Sequence, residues 1–183
     1  LYACILDAMA LAQEPRIRAV ILTSEGDFFC AGGDLNVLIA RRAMPETERR
    51  EKVDLLHDLV RGLRACPVPV IAAVEGGAAG AGLSLALACD MIVATKEAKF
   101  TAAYVKAGLV PDGGLTSAMA RLLPRPLAME MCLLGRPVMA SRFADLGAVS
   151  RLCAVGNAME EAMILADTLA AGPRDAQTVI RGL

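Results

Sequence analysis

Two stretches of small residues decide the fold: "FFCAGGDL" at residues 28–35 and "EGGAAGAGLSLALACD" at residues 75–90. Each follows or overlaps the end of a short apolar run rich in β-branched residues, "RAVILTS" (18–24) and "VIAAVEG" (70–76), and such runs predict buried strands. Gly and Ala have no reactive side chains, so a function of these stretches must lie in the backbone that they leave exposed.

The pattern around these stretches predicts an α/β protein. Further strands are predicted at "MIVAT" (91–95), "AKFTA" (98–102) and "AVSRLCA" (148–154). Apolar residues at helical spacing predict helices at 1–13, 46–66, 82–90, 115–123, 126–135, 141–147 and 158–172. Strands alternate with helices first and helices take over later, as in an α/β fold with a helical C-terminal part. The chain length of 183 residues suits one domain.

Composition argues against several classes of partner. The formal net charge is −1, with 19 basic and 20 acidic residues, which favours neither nucleic acid nor a membrane surface. The uncharged stretch 76–89 is shorter than the roughly 20 apolar residues of a membrane span. No signal peptide opens the chain, which begins within a helical pattern, so we expect further residues upstream.

The cysteines and the single histidine predict neither disulfides nor a metal site. The six cysteines form no C-x-x-C pair, which favours reduced thiols in a cytoplasmic protein. His57 lies among apolar residues at helical spacing, so we interpret it as structural. No His/Cys cluster is present in the sequence to hold a metal ion.

Nucleotide binding does not suit the glycines of the second stretch. In "GAAGAGLS" (77–84), Leu83 stands where a phosphate loop needs lysine, and Leu85 stands where the dinucleotide fingerprint needs its third glycine. Two interpretations remain open from the residues alone. The loops are tight turns with close packing, or each aims a free backbone N–H at one developing oxyanion, the second at a helix N-terminus.

Three segments carry a resemblance to a known family: "FFCAGGDL", "PVIAAVEGGAAGAGLSLALACDMIVAT" and "KFTAAYVKAGLVPDGGLT". In this order they resemble the crotonase family, the enoyl-CoA hydratase/isomerase superfamily. The resemblance implies a spiral of ββα units with a helical C-terminal trimerisation region, here residues 1–135 and 136–183. It also implies an acyl-CoA thioester substrate, with coenzyme A as part of the substrate and no separate cofactor, and a homotrimer or hexamer. The family's N-terminal strand and last helices look absent or truncated.

The same resemblance implies roles for individual residues. The backbone N–H groups of Gly33 and Ala81 would form the oxyanion hole. Backbone around five residues would line the path of the adenine and pantetheine groups: Phe29, Cys30, Ala31, Asp34 and Leu35. At the positions of the two hydratase glutamates this sequence has Ser84 and Tyr104.

One carboxylate remains near the expected site. Asp112, in "GLVPDGGLT", matches a functional aspartate of dienoyl-CoA isomerases, some enoyl-CoA isomerases, a chlorobenzoyl-CoA dehalogenase and naphthoate synthase. The alternative to a catalytic role is that the Asp112 side chain caps the N-terminus of the following helix. Tyr104 is either a hydrogen-bond donor or a pocket wall, and Ser84 either orients water or packs. A single base favours Δ3-Δ2 double-bond isomerisation. The alternatives are hydration, dehalogenation, ring formation, and a catalytically silent acyl-CoA-binding protein.

Overall fold

The computed structural model describes residues 2–182, except for the side chains of Ala3 and Arg42. In chain order its first elements are α1 (Tyr2–Leu11), β1 (Val20–Leu22), α2 (Leu35–Ala40), the 3₁₀ helix Arg41–Ala43, α3 (Glu46–Ala65), β2 (Val70–Val74), β3 (Gly77–Ala79), α4 (Ala81–Ala86), β4 (Met91–Thr95) and β5 (Lys99–Thr101). Then follow the 3₁₀ helix Ala103–Ala107, α5 (Leu115–Leu122), α6 (Arg125–Leu134), β6 (Val138–Met139), α7 (Ala140–Asp145), β7 (Arg151–Cys153), α8 (Ala158–Ala170) and α9 (Arg174–Arg181).

A four-stranded parallel sheet, in the order β1-β2-β4-β7, carries most of the core. All residues of β2 are buried, as expected for a continuous apolar strand covered on both faces. Successive side chains of a strand point to opposite faces. Ala72 and Val74 accordingly join the main core cluster, while Ile71 and Ala73 join the cluster beneath α8.

A second sheet branches off directly after β2. Strand β3 pairs in parallel with β5, and β5 pairs antiparallel with β6, in the order β3-β5-β6. Only Glu75 and Gly76 separate β2 from β3, so the chain passes from one sheet to the other within a single turn. The second sheet therefore lies beside the second small-residue stretch, and it positions the start of α4.

The predicted fold class is confirmed, and most predicted elements are present. The bounds predicted for β4 match the structure, and β1, β2, β5 and β7 are shorter than their predicted runs. Six elements of residues 2–182 were missed: β3, β6, α2, α9 and the two 3₁₀ helices. Strand β3 consists of Gly and Ala only, and β6 has two residues, so neither shows a side-chain alternation that a sequence pattern could reveal.

Helix α9 is fastened to the start of β2 by polar contacts. Arg181 donates from Nε to Asp90 Oδ2 at 2.7 Å and from Nη2 to the Leu63 carbonyl at 3.2 Å. Asp90 Oδ2 also accepts the backbone N–H of Val70 at 2.7 Å. The Arg181 side chain is only 9% exposed. One partly buried ion pair thus links the last helix, the end of α3 and the central strand.

Three further features bear on the class of protein. None of the helices described in residues 2–182 is both long and apolar enough to cross a membrane. All six cysteines are free thiols. Within the same part of the chain, no three His, Cys, Asp or Glu residues are grouped so that they could hold a metal ion.

Replacing Arg181 by Met is expected to lower the free energy of unfolding by about 1–3 kcal/mol, because the Asp90 carboxylate then loses a charged donor at a partly buried site. Urea denaturation monitored by circular dichroism measures the change. Arg61→Met is the matched control, since Arg61 forms an exposed ion pair with Asp58 on α3 and such pairs contribute about 0–1 kcal/mol. Equal losses in both variants would contradict the fastening of α9.

Candidate active site

The first small-residue stretch runs along the edge of β3. Phe29 donates its backbone N–H to the Gly77 carbonyl at 3.1 Å, and Ala79 donates to the Cys30 carbonyl at 2.9 Å. Cys30 and Ala78 form an isolated parallel bridge. The two stretches that stand out in the sequence therefore lie side by side, joined through their backbones.

Their contact leaves no room for side chains. Gly32 has φ +94°, and a Cβ atom built on it would lie 2.8 Å from the Ala79 carbonyl oxygen and 3.2 Å from the Ala81 nitrogen. A Cβ atom built on Gly82 would overlap the Cys30 carbonyl oxygen. Larger residues at these positions would force the loops apart, which explains the composition of both stretches.

Gly33 and Ala81 both line one cavity of about 420 Å³. Ala81 is the first residue of α4, where a helical N–H has no acceptor in its own helix. Among the hydrogen bonds of residues 2–182, none has the backbone N–H of Gly33 or Ala81 as its donor. Both groups are therefore available to a ligand, and their role as an oxyanion hole stays a prediction.

Tyr104, Asp112 and Ser84 form a hydrogen-bonded group at the same cavity. The Tyr104 hydroxyl donates to Asp112 Oδ1 at 2.7 Å. Ser84 Oγ lies 3.0 Å from the Tyr104 hydroxyl oxygen and 3.1 Å from the Asp112 carbonyl oxygen. Tyr104 lies on the 3₁₀ helix Ala103–Ala107, and Ser84 is buried on α4. Tyr104 and Asp112 line the cavity together with Gly33 and Ala81.

Asp112 does not cap a helix, which corrects the alternative interpretation from sequence. Helix α5 has Gly114 as its N-cap residue, and no side chain caps it. The two glycines after Asp112 move the helix start away from the carboxylate, which instead accepts the Tyr104 hydroxyl. The Asp112 backbone still accepts the N–H of Leu115 at 3.1 Å. The carboxylate therefore makes no hydrogen bond to the start of α5, and Asp112 lines the cavity instead.

Burial raises the pKa of Tyr104 well above its ordinary value, and the negative charge of Asp112 raises it further, although the hydrogen bond from Ser84 acts in the opposite direction. The phenol therefore keeps its proton across the neutral range. Because the phenol keeps its proton, Tyr104 is the donor of this pair and Asp112 Oδ1 is the acceptor. This bond engages Oδ1 of Asp112, and no hydrogen bond within residues 2–182 engages Oδ2.

The five residues predicted along the coenzyme A path occupy different environments. Ala31, Asp34 and Leu35 line the cavity. Phe29 is buried in the main core cluster, and Cys30 packs against that cluster. The Asp34 side chain caps α2 by accepting the backbone N–H of Asn36 at 2.8 Å. Their assignment to coenzyme A stays a prediction.

Sequence reasoning missed other residues that line this cavity. Five of them are Tyr2 from α1, Arg41 after α2, and Lys52, Val53 and Leu56 from α3. They come from three different helices, and Tyr2 lies about forty residues before the others, so no single local motif marks them. The apolar spacing of α3 was the one available signal, and it was interpreted only as core.

Comparison with known proteins decides the family. The sequence profile described as enoyl-CoA hydratase/isomerase matches residues 5–181. The chain belongs to this family. The crotonase resemblance is thereby confirmed, and the family acts on acyl-CoA thioesters.

Individual relatives of the crotonase chain support the same assignment. It is 38% identical to 1,2-epoxyphenylacetyl-CoA isomerase of Escherichia coli over 88% of its own length and 62% of that protein. It is 33% identical to an enoyl-CoA hydratase of Mycobacterium tuberculosis, covering 93% of this chain and 65% of that protein. The crystal structure of an enoyl-CoA hydratase from Polaromonas sp. JS666 matches with a TM-score of 0.97 and 43% identity, covering 100% of this chain and 71% of the other. The chain thus spans less than two thirds of either of these two sequence relatives.

Replacing Gly82 by Ala tests the contact between the two loops. The added methyl group meets the Cys30 backbone, so we expect a loss of about 1–3 kcal/mol in the free energy of unfolding. Urea denaturation of Gly26→Ala is the control, because a Cβ atom there has nothing within 4 Å. An unchanged unfolding midpoint for Gly82→Ala would show that the loops are not in such close contact.

The raised pKa of Tyr104 predicts a late alkaline titration. The chain has two tyrosines, and burial raises the pKa of Tyr2 as well. In ultraviolet titration we expect both phenols to ionise above the ordinary value of 10.0. Because the folded protein holds these protons more tightly than the unfolded chain, its stability falls as the pH rises above that value.

The variant Tyr104→Phe shows which transition of the ultraviolet titration belongs to Tyr104. We expect the variant to lose the transition at the highest pH and to keep that of Tyr2. A Tyr104 transition at or below the ordinary pKa would contradict the buried hydrogen bond to Asp112.

Proposed function

We propose that this crotonase-family chain is the catalytic part of an acyl-CoA isomerase that moves a double bond from the Δ3 to the Δ2 position. The observation that supports it most is the 2.7 Å hydrogen bond from Tyr104 to Asp112 at a cavity that also borders the free amides of Gly33 and Ala81. A proton shift next to a thioester requires a base that moves the proton and hydrogen-bond donors that stabilise the enolate oxygen. The Asp112 carboxylate and the two N–H groups would fill these roles.

The proposed reaction begins when Asp112 takes a proton from C2 of a 3-enoyl thioester. The electron pair left at C2 spreads over the double bond and the thioester carbonyl, giving a dienolate. Its oxygen would accept hydrogen bonds from the Gly33 and Ala81 amides, which stabilise charge that develops only during the reaction. Asp112 then returns the same proton to C4, which leaves the double bond between C2 and C3.

Tyr104 would position the base. Because its hydroxyl occupies Oδ1 of Asp112, the other carboxylate oxygen is free to take and return the proton. Ser84 would fix the phenol in turn, since its Oγ lies 3.0 Å from the Tyr104 hydroxyl oxygen. A carboxylate that alternates between C2 and C4 needs this restraint, because small errors in position slow proton transfer strongly.

Hydration is less well supported by the residues. By the family resemblance, Ser84 and Tyr104 occupy the positions of the two hydratase glutamates. Neither residue supplies a carboxylate to activate water, and the raised pKa of Tyr104 keeps its proton in place. Asp112 alone would have to do work that a matched pair does in hydratases.

A second candidate is isomerisation of a ring epoxide. It is favoured by the 38% identity to the E. coli protein named 1,2-epoxyphenylacetyl-CoA isomerase, which covers 88% of this chain. The same two amides would hold the thioester oxygen in either reaction. The two candidate reactions therefore differ in the acyl group of the substrate, while the residues that would hold the thioester oxygen are the same.

We also propose a cytoplasmic homotrimer or hexamer. Apolar side chains on the outer helices support an assembly, with Leu133 on α6 and Val179 and Ile180 on α9 each more than 60% exposed. Burying such residues between subunits is favourable by roughly 25 cal/mol per Å².

Asp112→Asn tests the role of the base. We expect conversion of 3-hexenoyl-CoA to 2-hexenoyl-CoA to fall about 10²- to 10⁴-fold, because the amide keeps the shape of the carboxylate but cannot take the proton. Binding of hexanoyl-CoA, measured by calorimetry, should stay within about threefold. Product formation is followed by chromatography, which also detects hydrated product and, with 1,2-epoxyphenylacetyl-CoA, the rearranged thioester.

Asp145→Asn is the matched control, since Asp145 is exposed on α7 outside the described cavities. Full turnover by Asp112→Asn would remove Asp112 from the mechanism. Hydration of 2-hexenoyl-CoA that outpaces isomerisation would contradict the proposed reaction. Thioester binding without any turnover in the unaltered protein would instead favour the silent binding protein.

A further inference from the structure

A second, larger cavity adjoins the first beyond Asp112. It has a volume of about 960 Å³ and shares seven lining residues with the first cavity, among them Asp112, Leu38, Leu109 and Arg41. Its remote part is lined by residues that do not border the first one, among them Ile39, Arg49, His57, Lys106 and Val110. A chain that starts at Gly33 and Ala81 and passes Asp112 therefore continues into this second cavity.

The second cavity has more positive than negative charge. Arg41, Arg49 and Lys106 border it, and Asp112, at the junction, is the one acid among its described lining residues. Within residues 2–182 these three cations form no ion pair, whereas Arg50 and Arg61 on the same helix as Arg49 pair with acids of their own helix. The basic side chains at this cavity are thus free to meet an anionic ligand.

One observation indicates that Arg41 in particular faces a ligand, because this residue is only partly exposed, whereas Arg49 and Lys106 are exposed residues that border the same cavity. The Nε atom of Arg41 is buried and has no hydrogen-bond partner in the described structure, which is unfavourable unless a ligand supplies one. The stem of Lys106 lies against Gly135, where a Cβ atom would stand 3.1 Å from Lys106 Cε. The glycine leaves the space that the lysine stem occupies at the cavity wall.

We infer that the acyl group of the substrate carries a carboxylate at the end remote from the thioester. The methylene groups would pass the apolar side chains of Leu38 and Leu109, and the carboxylate would lie among Arg49, Lys106 and Arg41. Charge-assisted hydrogen bonds from Arg and Lys favour carboxylates, and a partly enclosed site strengthens them. This inference rests on the proposed function and assigns the substrate class as enedioyl-CoA thioesters.

The phosphates of coenzyme A are the competing source of negative charge. They lie at the opposite end of the substrate from the acyl terminus, so the two sources can be separated chemically. Pantetheine thioesters keep the acyl group and the thioester but lack all phosphates of coenzyme A. Saturated acyl groups undergo no double-bond shift, so their binding reports on the second cavity independently of catalysis.

The experiment measures Kd by calorimetry for adipoyl and hexanoyl thioesters, each as the CoA and the pantetheine derivative. The two acyl groups have equal length and differ in the terminal carboxylate. We expect the unaltered chain to bind adipoyl thioesters about tenfold more tightly than hexanoyl thioesters with either carrier. The double variant Arg49→Met, Lys106→Met is expected to lose this preference while hexanoyl binding changes less than about threefold.

The double variant Arg61→Met, Lys96→Met is the matched control, since these residues are exposed and border neither cavity. Equal affinity of the unaltered chain for both acyl groups would overturn the inference. So would a cavity variant that weakens both CoA thioesters but neither pantetheine thioester, because the cations then bind phosphate. A carboxylate preference without isomerase turnover would support the inference and contradict only the proposed reaction.

Discussion

The contact between the backbone of residues 29–32 and that of residues 77–82 is the constraint on which the rest of the structure depends. Hydrogen bonds of 2.9–3.1 Å join the two segments, and Gly32 and Gly82 bring them so close that no side chain fits between them. The contact brings Gly33 and Ala81 to one cavity. Strand β3 holds the first segment through the Cys30–Ala78 bridge and is itself paired with β5, so the second sheet sets the position of the site.

Much of the fold could be predicted because its determinants are local. The buried strand 91–95 and the long amphipathic helix α3 follow directly from apolar spacing. Strand β3 could not be found in this way, because "GAA" has no side chains to alternate and is held by backbone pairing alone. Helix α2 left a weaker signal, since Asp34 before an apolar segment is a typical N-cap that was considered only for coenzyme A.

The residues of the candidate site were named through the family resemblance, because the glycine pattern alone left two interpretations open. The resemblance pointed to Gly33, Ala81 and Asp112, but it gave no partner for the Asp112 carboxylate. That partner is eight residues away and depends on the 3₁₀ turn that carries Tyr104. The helix-cap interpretation of Asp112 was wrong because the following glycines delay α5. Arg41, Arg49 and Lys106 come from three segments that meet only in three dimensions, so no sequence motif unites them.

The hydrogen-bonded chain from Ser84 through Tyr104 to Asp112 also restricts how such a site can change during evolution. Introducing glutamate at position 84 or 104 alone would bring a second carboxylate against Asp112 in a half-enclosed space, where like charges oppose ionisation. One of the two carboxylates would then have its pKa raised and would keep its proton to higher pH. A new acid at either position would therefore change the protonation of the whole hydrogen-bonded group, and not only of the residue that was replaced.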